Sequence, residues 1–520
     1  MKRRLSEFFQ KGIAARAGLI SVDGTADPVV TSLEFDSRSV KNGSLFFALP
    51  GQHTDGSKFI DEAIAKGASI IVHENDITVK KPDVVYLKVE NSRFAMSPIS
   101  ASFYDFPSQR MLVTGVTGTE GKSTTVSLIW QLLTLMGKKA GYISTVQHCL
   151  GGKVAWNNEH QTTPEAPIVQ RLLYEMAENG CEFAILEASS HGLSKKTNRL
   201  GDVDFCSAVF TNLNHEHLEF HGTFEQYMDD KANLFRALDY YMPQESASFF
   251  GPFGVINGDD RNSRYFAKAT QQKTFMFSAS GRDGDLILKC VESNARGSWY
   301  VVHIPVLNEN IELRDKLPGV FNSGNVLAAL LTVSGLLKLP VREIAPLVKK
   351  LEPVKGRMTR IDKGQHFEVI VDYAHTPSSC ETIFPPLRNR LSKTGGRIIS
   401  VFGSAGERDT QKRAQQGKIA AAFSNIIILT DEDPRGEDSM DILNEIAKGV
   451  NENNGFKTGK NLYLIPDRPA ALRKALNLAV TGDLVLLLGK GHENSIIYAD
   501  HIMPYDEIAE AEKALNELIN

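Results

Sequence analysis

The sequence predicts an α/β fold in three domains: a small N-terminal α/β unit, a central P-loop ATPase-type domain on a parallel sheet, and a C-terminal Rossmann-like α/β domain. Three observations predict it. At 520 residues the chain is too long for one hydrophobic core, since domains hold roughly 150 residues each. Short apolar runs of strand length alternate with helical patterns, as in parallel sheets covered on both faces. One glycine-bearing turn joins a strand to a helix in the manner of a phosphate-binding loop. Breaks in the pattern set the expected domains at residues 1–98, 99–353 and 354–520.

Composition narrows the class before any motif is read. Lys and Arg number 58 against 62 Asp and Glu, a net charge of −4, with 23% charged and 42% hydrophobic residues. Those are the values of a soluble globular chain; a general nucleic-acid binder would carry a basic excess, and a disordered chain fewer apolar residues. The five cysteines (Cys149, Cys181, Cys206, Cys290, Cys380) are widely spaced and odd in number. Neither a disulfide framework nor a zinc cluster is therefore expected, and a reducing cytoplasm fits best. The most apolar stretches, including 328–337 and 484–488, fall short of the ~20 residues of a membrane span.

In chain order, Met1-Lys2-Arg3-Arg4-Leu5 opens like a signal peptide. Ser6, Glu7, Gln10, Lys11 and Arg16 interrupt any apolar region, so the segment reads as an amphipathic surface helix. Runs at 69–72 and 84–87 are strands of the first unit. The second region has strands at 111–114, 184–187, 208–211 and 254–257, and the third at 368–371, 397–401, 426–429 and 484–488.

The strongest single signal is Val113-Thr114-Gly115-Val116-Thr117-Gly118-Thr119-Glu120-Gly121-Lys122-Ser123-Thr124. A strand enters a turn and then a helix whose stripe of Val126, Ile129, Leu132, Leu133 and Met136 ends at Gly137. Gly118 and Gly121 let the backbone amides of the turn, through Thr119, Glu120 and on to Thr124, close around phosphate oxygens. Lys122 meets the terminal phosphates of a nucleotide and Ser123 can reach Mg²⁺. The first glycine, Gly115, stands one residue early for the standard spacing, so this is a P-loop variant.

Phe183-Ala184-Ile185-Leu186-Glu187 is apolar until its last residue, which places Glu187 at the carboxyl edge of the sheet, where ligands of open α/β sheets bind. It reads as a metal-holding carboxylate or a solvated strand end. His217 follows another expected strand and reads equally as a metal ligand or a structural histidine. Lys231 lies on the apolar stripe of its helix, four residues from Tyr227 and Phe235 and three from Met228 and Leu234. Either its ammonium snorkels to water, or it is buried and then paired, neutral or chemically modified. A neutral amine can take up CO₂ as a carbamate, exchanging a cation for a carboxylate-like metal ligand.

Together the loop variant, Glu187 with Ser189-Ser190-His191-Gly192, His217 and Lys231 resemble the Mur ligases, the ATP-dependent amide ligases of peptidoglycan precursor synthesis. Within them the chain is most similar to the tripeptide-synthetase type, which adds the third amino acid. The likeness covers nearly the whole chain. It is carried further by Asp36-Ser37-Arg38, Gln161-Thr162-Thr163-Pro164, Gly356-Arg357-Met358, Asp372-Tyr373-Ala374-His375, Arg408-Asp409 with Lys412-Arg413, Asp433-Pro434-Arg435 and Gly489-Lys490-Gly491-His492-Glu493.

The resemblance implies a uridine-binding first domain with Ser37, Gln52, His53 and Thr54 at the uridine end of a UDP-N-acetylmuramoyl-dipeptide. Thr162, Thr163, Ser189 and Arg199 would contact its muramoyl-peptide. Lys231 matches the family's carbamylated lysine, which with His217 would hold a second Mg²⁺, so that Lys122, His217 and Lys231 form the catalytic set. Asn322, Asn325, Asp372 and His375 would lie near ATP, although unaided a strand-end Asp and His read as solvated. Arg408, Glu432, Asp433, Pro434, Arg435, Gly489 and Glu493 would form the amino-acid site. Relatives that add meso-diaminopimelate carry Asp-Asn-Pro-Arg, its arginine clamping the distal carboxylate, where this chain has Glu432-Asp433-Pro434-Arg435. Arg435 favours meso-diaminopimelate; the extra charge of Asp433 leaves L-lysine and L-ornithine open, and the bland alternative is a surface arginine beside Glu432, Asp433, Glu437 and Asp438. Folylpolyglutamate synthetase lacks a counterpart of residues 1–98. A P-loop kinase or nucleotide switch leaves Lys231 and the third domain unexplained, and no Asn-Lys-x-Asp guanine signature is present.

Overall fold

The computed structural model describes residues 1–50, 56–78, 80–157, 161–214, 218–241, 251–294, 297–453 and 455–519. They form two compact units, one of Met1–Leu213, His221–Phe277 and Ala328–Ile344, the other of Asn214–Phe220, Ser278–Leu327 and Ala345–Asn520.

In the first unit, a five-stranded sheet runs in the order Leu19–Asp23, Val85–Val89, Ala68–His73, Ser44–Phe47, Ser32–Glu34. All pairs are parallel except the first. The N-terminal segment is not one amphipathic helix. Arg3–Arg4 is a short strand, and the helices Leu5–Phe8 and Lys11–Arg16 follow, burying Leu5, Phe8 and Ile13. The helix Ser92–Phe103, capped by the Asn91 side chain, runs straight through residue 98 and stacks Phe103 edge-on against Phe8. It buries Ala95, Met96 and Ile99 in the core of this sheet.

The larger sheet of that unit has the order Val154–Trp156, Gln147–Cys149, Ala140–Ile143, Phe183–Glu187, Leu112–Thr117, Phe205–Phe210, Phe253–Asn257, Lys273–Ser278. From Ala140–Ile143 onward every pair is parallel. Central strands such as Phe183–Glu187 and Phe205–Phe210 are buried throughout, which is why they read as unbroken apolar runs rather than alternating ones.

The second unit contains a six-stranded sheet in the order Thr359–Ile361, Glu368–Asp372, Leu484–Leu488, Ile398–Phe402, Ile426–Leu429, Leu462–Leu464. Only its first pair is antiparallel. One apolar cluster covers each face. This unit also holds the antiparallel strands Leu286–Asn294, Gly297–Ile304 and Glu309–Asp315, absent from the expected strands. Gly297–Ile304 alternates buried with half-buried residues, the period-two pattern of a strand with one open face. Among the described residues no single helix is long and apolar enough to cross a membrane.

Candidate active site

The strand Leu112–Thr117 delivers the chain to a turn that ends at Gly121, the residue preceding the helix Lys122–Leu135. Gly118 (φ +148°) and Gly121 (φ +82°) take backbone conformations that side chains resist, and a Cβ on Gly118 would stand 1.9 Å from Thr211 Oγ1. The segment after Phe205–Phe210 braces the turn. Thr119 N–H donates to Asn212 O (2.8 Å), Glu120 N–H to Asn212 Oδ1 (2.9 Å), and Thr211 Oγ1 to Glu120 O (2.6 Å). Lys122 folds back to donate to Thr119 O (2.7 Å). Thr124 is half-buried in the first helical turn.

Gly115 does not belong to this turn. It sits inside the strand, opposite Leu186 and Ala208, and a Cβ there would come within 2.4 Å of Leu234 Cδ1. Its spacing from Gly118 therefore reflects close approach of the helix Phe224–Ala237 to the sheet, not a phosphate cradle.

Glu187 ends its strand with the side chain turned inward, 3% exposed, so the solvated alternative is excluded. It accepts from Ser123 Oγ (2.8 Å) and from Thr145 N–H (2.8 Å), which brings the first residue of the helix after Lys122 onto the carboxylate at the sheet edge. Lys231 is buried, at 2% exposure, and does not snorkel. Its Nζ donates to Gly118 O (2.7 Å) and lies 4.7 Å from the centre of the Tyr227 ring. Tyr227 in turn shares a hydrogen bond with Thr119 (3.0 Å), so the helix Phe224–Ala237 touches the phosphate turn twice. His217 lies outside the described residues, as do Gln52, His53 and Thr54.

Thr163 gathers the residues expected at the muramoyl-peptide. Its Oγ1 donates to Glu187 O (2.8 Å) and accepts from Ser189 N–H (3.0 Å), while Arg199 donates to Thr163 O (2.8 Å) and to Glu165 (2.9 Å). Burial lowers the Arg199 pKa, the Glu165 carboxylate opposing it. Thr162 is half-buried beside them. Ser37 lies away in the first sheet, in the turn Ser37–Ser39, donating to Glu62 Oε2 (3.1 Å).

In the second unit the expectation of a solvated Asp372 fails. The carboxylate is buried at the end of its strand and accepts from Met358 N–H (2.7 Å) and Ala374 N–H (2.8 Å). Burial raises its pKa, with the nearby Arg357 acting in the opposite sense. His375, half-buried, places Nδ1 2.9 Å from Tyr373 O. Asn322 and Asn325 start the helix Asn322–Leu337; Asn322 donates to Pro318 O (2.7 Å) and accepts from Asn325 (2.9 Å).

Glu432, Asp433 and Pro434 are buried in the loop beyond the strand Ile426–Leu429. The Asp433 carboxylate accepts from Lys490 Nζ (2.8 Å) and Ile497 N–H (3.0 Å), and Lys490 also meets Glu493 (2.5 Å). Burial lowers the Lys490 pKa, but Glu493 and Asp433 outweigh it and the net shift is upward. Gly489 (φ +99°) approaches Glu432, whose Oε2 would lie 2.8 Å from a Cβ there. Arg435 adopts the left-handed conformation (φ +55°), and among the described residues its Nε is buried without a hydrogen-bond partner. Arg435 is half-buried, and two of its acidic neighbours are paired elsewhere, Glu437 with Arg413 (2.8 Å) and Asp433 with Lys490 (2.8 Å). Arg408 is exposed.

Three family models match: the Mur ligase family catalytic domain over residues 29–104, the Mur ligase middle domain over 116–333, and the Mur ligase glutamate ligase domain over 356–491. A UDP-N-acetylmuramyl-tripeptide synthetase of Treponema denticola is 48% identical across 96% of both chains. The chain belongs to the Mur ligase family. The UDP-N-acetylmuramoyl-L-alanyl-D-glutamate–2,6-diaminopimelate ligase of Geobacillus kaustophilus is 37% identical to this Mur ligase over 94% of it and 96% of the relative. A solved ligase of that same description, 26% identical, superposes over the full length of both chains with a TM-score of 0.61.

Several buried residues that brace the candidate positions of this Mur ligase carry no motif. His221 Nδ1 is 2.7 Å from Asp230 Oδ2 and its Nε2 3.0 Å from Ser190 Oγ, tying the turn after Glu187 to the helix of Lys231. Arg468, fully buried, pairs with Glu507 (2.6 Å) and donates to Asp431 O (3.0 Å) and Leu488 O (2.6 Å), joining two strand ends of the second sheet. Asp230 beside Lys231, both on one helix, was the available signal for the first; Arg468 offered none beyond its place after Asp467 at a helix start.

Proposed function

We propose that this Mur ligase uses ATP to activate a carboxylate of a UDP-N-acetylmuramoyl-dipeptide and joins it to the third amino acid, releasing ADP and phosphate. The contact of Ser123 with Glu187 beneath the phosphate turn carries the reading: a hydroxyl and a carboxylate brought together at the end of a parallel sheet. The tripeptide-synthetase and diaminopimelate-ligase relatives support it. Each ligand has its own part of the chain: the nucleotide sugar at the N-terminal sheet through the helix Ser92–Phe103 that packs on it, ATP at the central sheet that follows, and the amino acid at the C-terminal sheet.

Ser123 and Glu187 are hard oxygen donors of the kind Mg²⁺ takes alongside phosphates and water. A second ion would be held by His217 and by a carbamate on Lys231, whose burial would keep that group dry. Bound Mg²⁺ supplies positive charge to the phosphate oxygens and the reacting carboxylate.

Lys122 leaves Thr119 O for the terminal phosphates, and the turn amides hold the oxygens on which charge spreads as the γ-phosphoryl group moves to the carboxylate. Thr163, Ser189 and Arg199 orient the muramoyl-peptide. Attack by the amine on the resulting acyl phosphate forms the C–N bond, the amine loses a proton, and phosphate departs.

The third amino acid is meso-diaminopimelate. Lys490 compensates Asp433, so its charge does not oppose a distal carboxylate, and Arg435 keeps an uncommitted Nε. Glu493 suits the distal ammonium. Phosphate release is expected only when UDP-N-acetylmuramoyl-dipeptide and an amine are both present, fastest with meso-diaminopimelate in a panel with L-lysine and L-ornithine. Release without an amine sinks the ligase reading, and preference for lysine or ornithine reassigns Arg435.

A further inference from the structure

Two arms meet in the second unit: the segment after the strand Ile398–Phe402, which carries Arg408, and the segment after Ile426–Leu429, which carries Arg435. Each contains a non-glycine residue in the left-handed region, Glu407 and Arg435, both at φ +55°. Such a conformation is disfavoured for a side-chain-bearing residue and persists where its surroundings over-determine it. The arms touch directly, Gly406 N–H donating to Asp433 O (2.8 Å), and a Cβ on Gly406 would lie 2.0 Å from Pro434 O.

Behind both lies Arg413, on the helix Gln411–Phe423 and 1% exposed. Its Nη1 and Nη2 grip the Glu437 carboxylate (2.8 and 3.0 Å), while Nη2 also donates to Ala405 O (3.2 Å). Glu437 Oε1 accepts Glu407 N–H (2.5 Å). A third contact, to Glu445 (2.9 Å), reaches the helix Ser439–Asn451 and neither arm.

Resting on the amino-acid site assigned above, we propose that Arg413 is a positioning residue for amino-acid recognition: its fork, with Glu437, clips the Arg408 arm to the Arg435 arm. Ala405 lies two residues before Glu407, and Glu437 two after Arg435, so the clip brackets both left-handed residues. A guanidinium does this because its planar fork serves a carboxylate and a carbonyl at once; a lysine offers a single point charge. The chemistry of recognition is that of a carboxylate-bearing amino acid, gripped by guanidinium groups whose spacing the clip fixes.

The test measures KM for the amino acid, ATP and UDP-N-acetylmuramoyl-dipeptide in full-length Arg413→Lys, Glu437→Gln and Glu445→Gln enzymes, using the amine the wild type prefers. Arg413→Lys and Glu437→Gln are expected to raise the amino-acid KM about tenfold with the other two KM values within about twofold, since a small misplacement of a binding group is costly. Glu445→Gln is expected to match wild type. An unchanged amino-acid KM in Arg413→Lys overturns the proposal, as does an equal rise in all three KM values or a Glu445→Gln enzyme that behaves like Arg413→Lys. If Arg413→Lys does not fold, Glu437→Gln alone decides. Failure of the wild type to require an amine would overturn the site assignment instead, whatever Arg413 does.

Discussion

The glycine turn at 117–122 and the ion-paired loop at 432–437 both follow the carboxyl ends of parallel strands, yet different forces shape them. The first is shaped by what is missing: Gly118 and Gly121 lack side chains, and the backbone curls against Asn212 and Thr211. The second is shaped by buried charge: Lys490 holds Asp433, Arg413 holds Glu437, and Arg435 is bent into a left-handed residue between them. A turn made by glycines is sensitive to an added methyl group, whereas a loop made by ion pairs is sensitive to a removed partner.

Lys231 is the place where the phosphate region borrows the other device, so its variants give the largest effect. Lys231→Ala is expected to lower turnover on the order of a thousandfold or more, with partial rescue by a short carboxylic acid standing in for the proposed carbamate. Retained activity without rescue removes the carbamate from the account. Next comes Lys490→Met, which leaves Asp433 and Glu493 facing each other without a cation. Urea unfolding should show a loss of about 3–5 kcal/mol, part of it restored by adding Asp433→Asn. A neutral outcome would show that the loop does not depend on that charge.

Gly115→Ala distinguishes packing from phosphate binding. The methyl group meets Leu234, so stability is expected to fall by about 1–3 kcal/mol while the KM for ATP in the folded enzyme holds. A rise in that KM with stability intact would return Gly115 to the cradle. The smallest effect concerns His492 in the second region. Burial, then Arg357, His375 and Lys490, hold its pKa well below the ordinary 6.5. The unfolded chain therefore takes up a proton that the folded chain refuses, and stability present above pH 6.5 is lost as pH falls, by at most about 1.4 kcal/mol per pH unit. Urea midpoints at pH 7.5 and 5.5 should differ less in His492→Asn than in wild type.

The same contrast explains what could be read from the residues alone. Strand, glycine turn and helix occupy consecutive positions, so the glycine turn and the sheet-edge place of Glu187 are legible in the sequence, as is the stripe that carries Lys231, whereas the inward turn of the Glu187 carboxylate is not. Gly115 misled because a glycine needed for helix packing is spelled like one needed for phosphate. Lys490 lies 57 residues from Asp433, and His221 31 from Ser190, so nothing local announced those pairs. Without Lys490 in view, Asp433 looked like an extra charge in the amino-acid site. Asp372 looked solvated because the amides of Met358 and Ala374 that receive it come from folding, not from side-chain type.

Activation of a substrate carboxylate by phosphoryl transfer before the amine arrives leaves an isotopic record in the released phosphate. The direct measurement is the reaction with UDP-N-acetylmuramoyl-dipeptide carrying ¹⁸O at both oxygens of the reacting carboxylate, followed by mass analysis of the phosphate. Carboxylate oxygen is retained in the departing phosphate if an acyl phosphate forms, so one ¹⁸O is expected in each phosphate released with tripeptide product. Unlabelled phosphate accompanying the same product would contradict the account.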